Sequence, residues 1–256
     1  MKGIILAGGT GTRLFPLTKV TNKHLLPVGK EPMIFNPIKQ LVSCGIDDII
    51  VVTSKDHMGD VVRLLGSGDD FGCEFSFKVQ DRPGGIAQAL ALCEKFAGGD
   101  SMTVILGDNI LTHSIKPFVE GYVRQGKGAK VLLKKVGDPE RFGVAALDER
   151  KKMILKIDEK PEHPSSHYAV IGVYMYDQRV FDFIRNTKPS ARGEMEITSV
   201  NNLYVEAGDM TYDIVDGDWT DAGTFESWHY ANEIMMKVNN KIIVYDGISP
   251  TIKSIK

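Results

Sequence analysis

Hydrophobic positions in the first half of the chain fall into two alternating kinds of run. Ile4-Ile5-Leu6, residues 46–53 and residues 102–106 are short, continuous and rich in β-branched side chains, the pattern of strands buried on both faces. Between them, residues 32–44, 56–65 and 85–97 space their apolar residues as helices do. Ile34, Ile38, Leu41 and Val42 share one face, and Ile86, Ala89, Leu90, Leu92, Cys93 and Phe96 form the apolar set of the third segment. Pro32 suits a first helical turn, and Gly45 and Gly66 suit helix stops. Residues 74–80 alternate weakly and read as a further strand. Strand and helix in strict alternation predict an α/β fold whose parallel sheet is covered on both faces.

The second half has a different texture. Residues 129–136, 142–147, 153–159 and 168–176 are strand candidates with little helix between them. A short helix is expected over 179–185, a loop over 189–193, a helix with an acidic first turn over 196–206, a strand over 211–215 and a helix from about 225 to 238. These pieces extend the sheet and build the second wall of a cleft. One domain over 1–238, with halves 1–125 and 126–238, accounts for this pattern. In the tail, 239–256, Ile242-Ile243-Val244-Tyr245 reads as an edge strand.

Composition narrows the class without choosing a chemistry. A chain of 256 residues with net charge −2 has no basic excess to bind nucleic acid or an anionic membrane. No apolar run is long enough to span a bilayer, and the first strand begins so early that no signal peptide is expected. Cys44, Cys73 and Cys93 are odd in number, dispersed and without metal-site spacing, as in reduced thiols of a cytoplasmic protein.

Chemistry enters at the turn after the first strand, Ala7-Gly8-Gly9-Thr10-Gly11-Thr12, followed by Arg13 and then Lys23. Glycines there permit positive φ and leave no Cβ in a ligand's way, and peptide N–H groups in such a turn can cradle phosphate. It is not a P-loop, because Thr12-Arg13 stands where Lys-Ser/Thr is required. Nor is it a dinucleotide fingerprint, because Leu14 stands where Gly or Ala is required. Asp108 follows a buried strand, where ligands of open α/β sheets bind. Taken singly, Asp108 and Asp221 are also ordinary turn residues, Lys23 an ordinary surface lysine and Trp219 an ordinary core residue.

Six stretches in order, LAGGTGTRLFPLT, KHLLPVGKEPMI, LGDN, EKP, KPSARGEMEIT and WTDAGT, together resemble the sugar-1-phosphate nucleotidyltransferases, and in particular the glucose-1-phosphate thymidylyltransferases. The resemblance covers roughly residues 1–231. It implies a Rossmann-like nucleotidyltransferase fold of the glycosyltransferase-A type, with a central, mostly parallel mixed sheet flanked by helices. It also implies the reaction of dTTP with glucose 1-phosphate to give dTDP-glucose and pyrophosphate, with Mg²⁺. By matching positions, Leu6, Gly8, Gly9, Thr10, Gly11 and Thr12 wrap the nucleotide. Arg13 holds the departing pyrophosphate, and Lys23 sits at the attacked α-phosphorus. Gln80 reads the pyrimidine edge beside Pro83 and Gly85. Asp108 and Asp221 hold Mg²⁺, and Asp108 joins Arg13 and Lys23 as catalytic. Gly143, Glu159, Lys160, Val170 and Trp219 line the sugar phosphate, and Arg192 reaches its phosphate.

The residue types suit that chemistry. A sugar phosphate is already an ionised nucleophile, so the enzyme must bring two anions together in line and stabilise spreading charge. Cations and metal-binding carboxylates are needed, and a protein nucleophile is not. The Gln80 amide offers a donor and an acceptor, matching thymine and uracil equally. A uridylyl or other nucleotidyl transfer to a different sugar phosphate, and a non-catalytic relative that binds a nucleotide sugar, stay open at this point.

Three positions depart from the resemblance: His24 for a frequent glutamine, Glu31 for lysine and Phe15 for tyrosine. His24 is expected to be a neutral variant facing the loop interior. The chain is also shorter at its C-terminus than feedback-inhibited thymidylyltransferases, which points away from a tetramer and leaves a homodimer or a monomer compatible.

Overall fold

The computed structural model describes residues 1–239, 241–246 and 249–254. Its elements run β1 (Lys2–Ala7), β2 (Pro27–Val28), β3 (Glu31–Pro32), α1 (Phe35–Ser43), β4 (Asp48–Ser54), α2 (Met58–Leu65), β5 (Glu74–Gln80), α3 (Ile86–Ala91), α4 (Glu94–Ala97), β6 (Met102–Leu106), β7 (Asn109–Leu111) and α5 (Lys116–Gln125). They continue with β8 (Ala129–Lys135), β9 (Gly143–Asp148), β10 (Met153–Glu159), β11 (Tyr168–Tyr176), α6 (Arg179–Asn186), α7 (Ile197–Glu206), β12 (Met210–Ile214), β13 (Trp219–Asp221), α8 (Phe225–Asn239), β14 (Lys241–Asp246) and β15 (Ser249–Ser254).

The central sheet is mixed and mostly parallel. Strands β5, β4, β1 and β6 lie side by side and parallel. Strand β11 runs against β6 and against β8, and β12 is parallel to β8. The long β11 forks the sheet: Val173–Tyr176 pairs with β6, while Ala169 and Val170 pair with β9, which carries β10.

Alternation along β1 shows how the sheet divides two cores. Ile4 and Leu6 face a cluster with Leu90 of α3, Phe181 of α6 and Tyr204 of α7. Ile5 and Ala7 face the opposite cluster, with Ile38 and Leu41 of α1, Val61 of α2 and Tyr122 of α5. A third, smaller core joins Leu14, Val28 and Met33 to Ile234 of α8, so the last long helix supports the segment after β1.

Several sequence expectations are corrected. Pro32 lies in β3, paired with Pro27, and α1 begins at Phe35 with Pro37 in its first turn. The 85–97 helix is two helices, broken at Leu92-Cys93, with Cys93 at φ −94°, ψ 0°. α5 lies in a stretch assigned to nothing. α7 begins at Ile197, and Glu196 precedes it with its carboxylate turned to Ser190 and Arg192 rather than to the helix end. Residues 242–245 lie in β14, which pairs with β15 as a separate hairpin, not on the central sheet.

Candidate functional site

Strand β1 lies between β4 and β6, so the chain leaves β1 towards one side of the sheet and later returns on the other. A crevice opens at the carboxyl ends of such strands. Gly8 and Gly9 follow β1, Gly107 and Asp108 follow β6, and Gly107 N–H donates to Leu6 O at 2.9 Å, tying the two turns together. The cleft between them has a volume of about 370 Å³.

The glycines of the first turn have different jobs. Only Gly11 has positive φ, +66°, and its carbonyl accepts from Thr18 Oγ1 at 2.9 Å. Gly8 is required for space: a Cβ there would lie 2.0 Å from Gln80 Oε1. At Gly9 the neighbour is Lys23, 3.4 Å from an added Cβ. Leu14 is fully buried in the third core, worth about 2 kcal/mol, and so anchors the turn from below. Two bonds hold α8 to the β2–β3 hairpin: Trp228 Nε1 donates to Pro27 O at 2.9 Å, and Gly29 N–H to Asn232 Oδ1 at 2.9 Å.

Lys23 and His24 sit on a short 3-10 turn capped by buried Asn22, whose Oδ1 accepts from His24 N–H at 2.8 Å. The same oxygen is 2.6 Å from His24 Nδ1, so Nδ1 carries the ring hydrogen and Nε2 keeps its lone pair. His24 is buried, bonded within the loop and packed beside Gly107, and is also among the cleft-lining residues. Burial, then the charge of Lys23, lower its pKa to about 3, against a partial opposing effect of Asp108.

Two carboxylates meet at the centre. Strand β13 pairs with β7, setting Asp221 opposite Asn109, and Ala222 N–H donates to Asp108 O at 2.8 Å. Asp108 forms an ion pair with Lys23. Burial opposes its ionisation, but Lys23 and His24, with hydrogen bonds from Lys23 and Asn109, hold its carboxyl well below the usual range. Asp221 goes the other way. Burial and then the charge of Asp108 raise it to about 6, although Arg141, Arg13 and Lys23 pull it down. Arg141 Nη2 lies 3.4 Å from Asp221 Oδ1, and its Nη1 donates to Asp138 at 2.7 Å. Arg13 is exposed at the rim, its Nη2 2.9 Å from where a Cβ of Gly223 would stand.

The opposite wall comes from the second half. Glu159, the last residue of β10, accepts from Thr198 Oγ1 at 2.5 Å and from Arg192 Nη2 at 3.1 Å. Arg192 also donates to Glu196 at 2.9 Å. Lys160 follows in the left-handed region at φ +45°, a conformation uncommon for a side chain with a Cβ, with its N–H bonded to Phe142 O at 3.0 Å. Asn109 joins three strands: its Oδ1 accepts from Gly172 N–H at 2.9 Å and Trp219 Nε1 at 2.7 Å. Trp219 meets Phe142 edge to face at 5.3 Å.

The cleft therefore gathers Leu6, Gly8, Gly9, Arg13, Lys23 and Gln80 with Pro83, Gly85, Asp108 and Asp221, and sets against them Gly143, Glu159, Lys160, Val170, Arg192 and Trp219. Thr10, Gly11 and Thr12 belong to the same turn but lie outside the cleft lining. Sequence reading overlooked Asn109, Arg141, Tyr174, Thr198 and Asn201, which also line it. Tyr174 is buried, and burial followed by the charges of Glu159 and Asp108 raises its phenol pKa. Asn201 Oδ1 accepts from Tyr176 at 2.6 Å, while its buried Nδ2 has no partner. Asn109 and Thr198 had a signal, since they close the LGDN and KPSARGEMEIT stretches. Arg141, Tyr174 and Asn201 had none.

A profile of the nucleotidyl transferase family matches residues 2–238. The glucose-1-phosphate thymidylyltransferase of Neisseria meningitidis serogroup A is 44% identical over 243 residues, covering 94% of this chain and 84% of its own. That of Xanthomonas campestris pv. campestris is 43% identical over 233 residues, covering 90% and 79%. A crystal structure from Bacillus anthracis, described as a candidate glucose-1-phosphate thymidylyltransferase in complex with sucrose, is 58% identical with a TM-score of 0.88, covering 92% of this chain and 95% of that one. A UDP-glucose pyrophosphorylase complexed with UDP-glucose is 24% identical with a TM-score of 0.82, covering 92% and 98%, a likeness of fold.

Proposed function

This chain belongs to the nucleotidyl transferase family, and on that premise we propose that it converts dTTP and glucose 1-phosphate into dTDP-glucose and pyrophosphate. The observation that carries the proposal is the meeting of Arg13, Lys23, Arg141, Lys160 and Arg192 with the Asp108–Asp221 pair around one cleft, in a chain 44% identical to a named thymidylyltransferase.

The nucleotide occupies the 1–125 half and the sugar phosphate the 126–238 half. The Gly8–Arg13 turn holds the triphosphate, and Gln80, with Pro83 and Gly85, holds the base. Lys160 and Arg192 hold the sugar phosphate, and Glu159 accepts from sugar hydroxyls. A phosphate oxygen of glucose 1-phosphate attacks the α-phosphorus of dTTP. The bond from that phosphorus to its bridging oxygen breaks, and pyrophosphate leaves with the electron pair. No proton need move, so Lys23 acts by stabilising charge at the α-phosphoryl group and Arg13 by stabilising the leaving group. Asp108 and Asp221 would hold Mg²⁺. Two carboxylates offer the hard oxygens that Mg²⁺ prefers, and among the described residues no group of three or more metal-ligating side chains forms a closed cage. When bound, Mg²⁺ supplies neutralising charge to the phosphates.

The proposed setting is the cytoplasm, where three unbridged cysteines stay reduced. No described helix is long and apolar enough to cross a membrane. The proposed partners are small molecules. A homodimer is the proposed assembly, supported by Met153 and Leu155, apolar and exposed on β10.

Pyrophosphate release with Mg²⁺, measured for dTTP, UTP, CTP, ATP and GTP against several sugar 1-phosphates, tests this proposal. Fastest turnover with dTTP and glucose 1-phosphate is expected. A faster UTP reaction would transfer the assignment to uridylyl transfer, which the Gln80 edge fits equally well.

A further inference from the structure

Gln80 and Gln88 form a bonded pair of carboxamides at the base end of the cleft. Gln80 is 6% exposed, and its Nε2 donates to Gln88 Oε1 at 2.6 Å. Its Oε1 fills the space that a Cβ at Gly8 would take. Gln88, on α3, packs its Cγ, Cδ and Oε1 against Gly84 and is not itself part of the cleft lining.

A side-chain amide alone does not choose between pyrimidines. Turned one way, its N–H and C=O match the O4 and N3–H of thymine or uracil. Rotated by half a turn, the same two groups match the N3 and N4–H of cytosine. The orientation of the amide, not its presence, therefore sets the choice. Gln80 Nε2 has two hydrogens. The one on the side of Oε1 belongs to the edge that reads a base, and the other is free to bond Gln88 without being taken from the ligand.

We propose that Gln88 is a positioning residue that locks the Gln80 amide in the thymine/uracil orientation and so excludes cytosine. This rests on the base-reading role of Gln80 proposed above. Gln88 acts only through Gln80, so removing its acceptor should change discrimination against cytosine nucleotides and leave the chemistry alone.

The test is steady-state kinetics and calorimetric binding of dTTP, UTP and dCTP for the parent protein, Gln88→Met and Gln88→Glu, with Gln88→Leu as the replacement if Gln88→Met does not fold. Methionine keeps the bulk and removes the acceptor, and glutamate keeps an acceptor that cannot turn into a donor. The loss of one orienting hydrogen bond should narrow the dTTP:dCTP preference roughly two- to tenfold in Gln88→Met, mainly through KM and binding, with kcat for dTTP nearly unchanged. Gln88→Glu should restore the preference. The dTTP:UTP ratio should stay constant in all variants, because thymine and uracil present the same edge. An unchanged dTTP:dCTP ratio in folded Gln88→Met, or a Gln88→Glu enzyme as relaxed as Gln88→Met, would overturn the inference alone. A parent protein that neither binds nor uses dTTP in preference to dCTP would overturn the role of Gln80, and this inference with it.

Discussion

Replacing His24 with glutamine should flatten the acid limb of the protein's stability. His24 is 2% exposed and its Nδ1–H is held by Asn22, so the folded protein keeps it neutral. Burial, helped by Lys23, lowers its pKa from 6.5 to about 3. The unfolded chain takes up the proton first as pH falls, so the stabilisation is full above 6.5 and is lost progressively from there towards 3. At 1.36 kcal/mol per pH unit, the 1.5 units from 6.5 down to pH 5 cost about 2 kcal/mol. Glutamine keeps an N–H for Asn22 and does not titrate. Urea unfolding at about pH 7.5, 6 and 5 should then show the parent losing about 2 kcal/mol more than His24→Gln across that range. Parallel pH curves for the two proteins would refute a buried, neutral His24.

Other substitutions separate the roles around the cleft. Asp108→Asn should keep the fold and lower Mg²⁺-dependent turnover by roughly a hundredfold or more, and full activity would refute the proposed role of Asp108 in holding Mg²⁺. Lys23→Ala should lower kcat much more than nucleotide affinity if its charge serves the transition state as proposed. A change confined to KM would contradict that. Gly8→Ala should weaken nucleotide binding about tenfold, because its Cβ falls 2.0 Å from Gln80 Oε1 and pushes that side chain aside. Titration of dTTP binding would detect it, and parent-like affinity would show that Gln80 does not need this space.

Much of the fold was legible because its strands are local signals. Residues 74–80, 102–106, 153–159 and 168–176 form strands at the bounds their patterns indicate, since continuous or alternating apolar runs report burial directly. α5 was missed because its buried residues are only Val119 and Tyr122, among lysine, proline, glutamate and glycine, while Val123 points to solvent. The break at Leu92-Cys93 was invisible because the segments on either side of it both bury apolar side chains, so periodicity does not register it. Pro32 misled because a proline suits a hairpin edge as well as a helix start.

In the site, motif order already implied that Gly8, Gly9 and Arg13 share a cleft with Asp108 and Asp221, but not the contacts that bring the two carboxylates together. Asp221 reaches Asp108 only through the three-residue β13–β7 pairing, across more than a hundred residues of chain. Tyr174 and Asn201 join the cleft for the same reason: β11 and α7 bring them there, and nothing in their own neighbourhoods marks them.

The central claim is direct transfer between two bound anions with no nucleotidyl–protein intermediate, and exchange of labelled pyrophosphate into dTTP tests it most directly. With Mg²⁺ and dTDP-glucose, label should enter dTTP by reversal of the reaction. With Mg²⁺ and dTTP alone, no label should enter. Exchange without any sugar nucleotide or sugar phosphate would mean that a side chain captures the nucleotidyl group, and the neutral His24, among the cleft-lining residues, would be the first to examine. Exchange in neither mixture would contradict the assigned reaction itself.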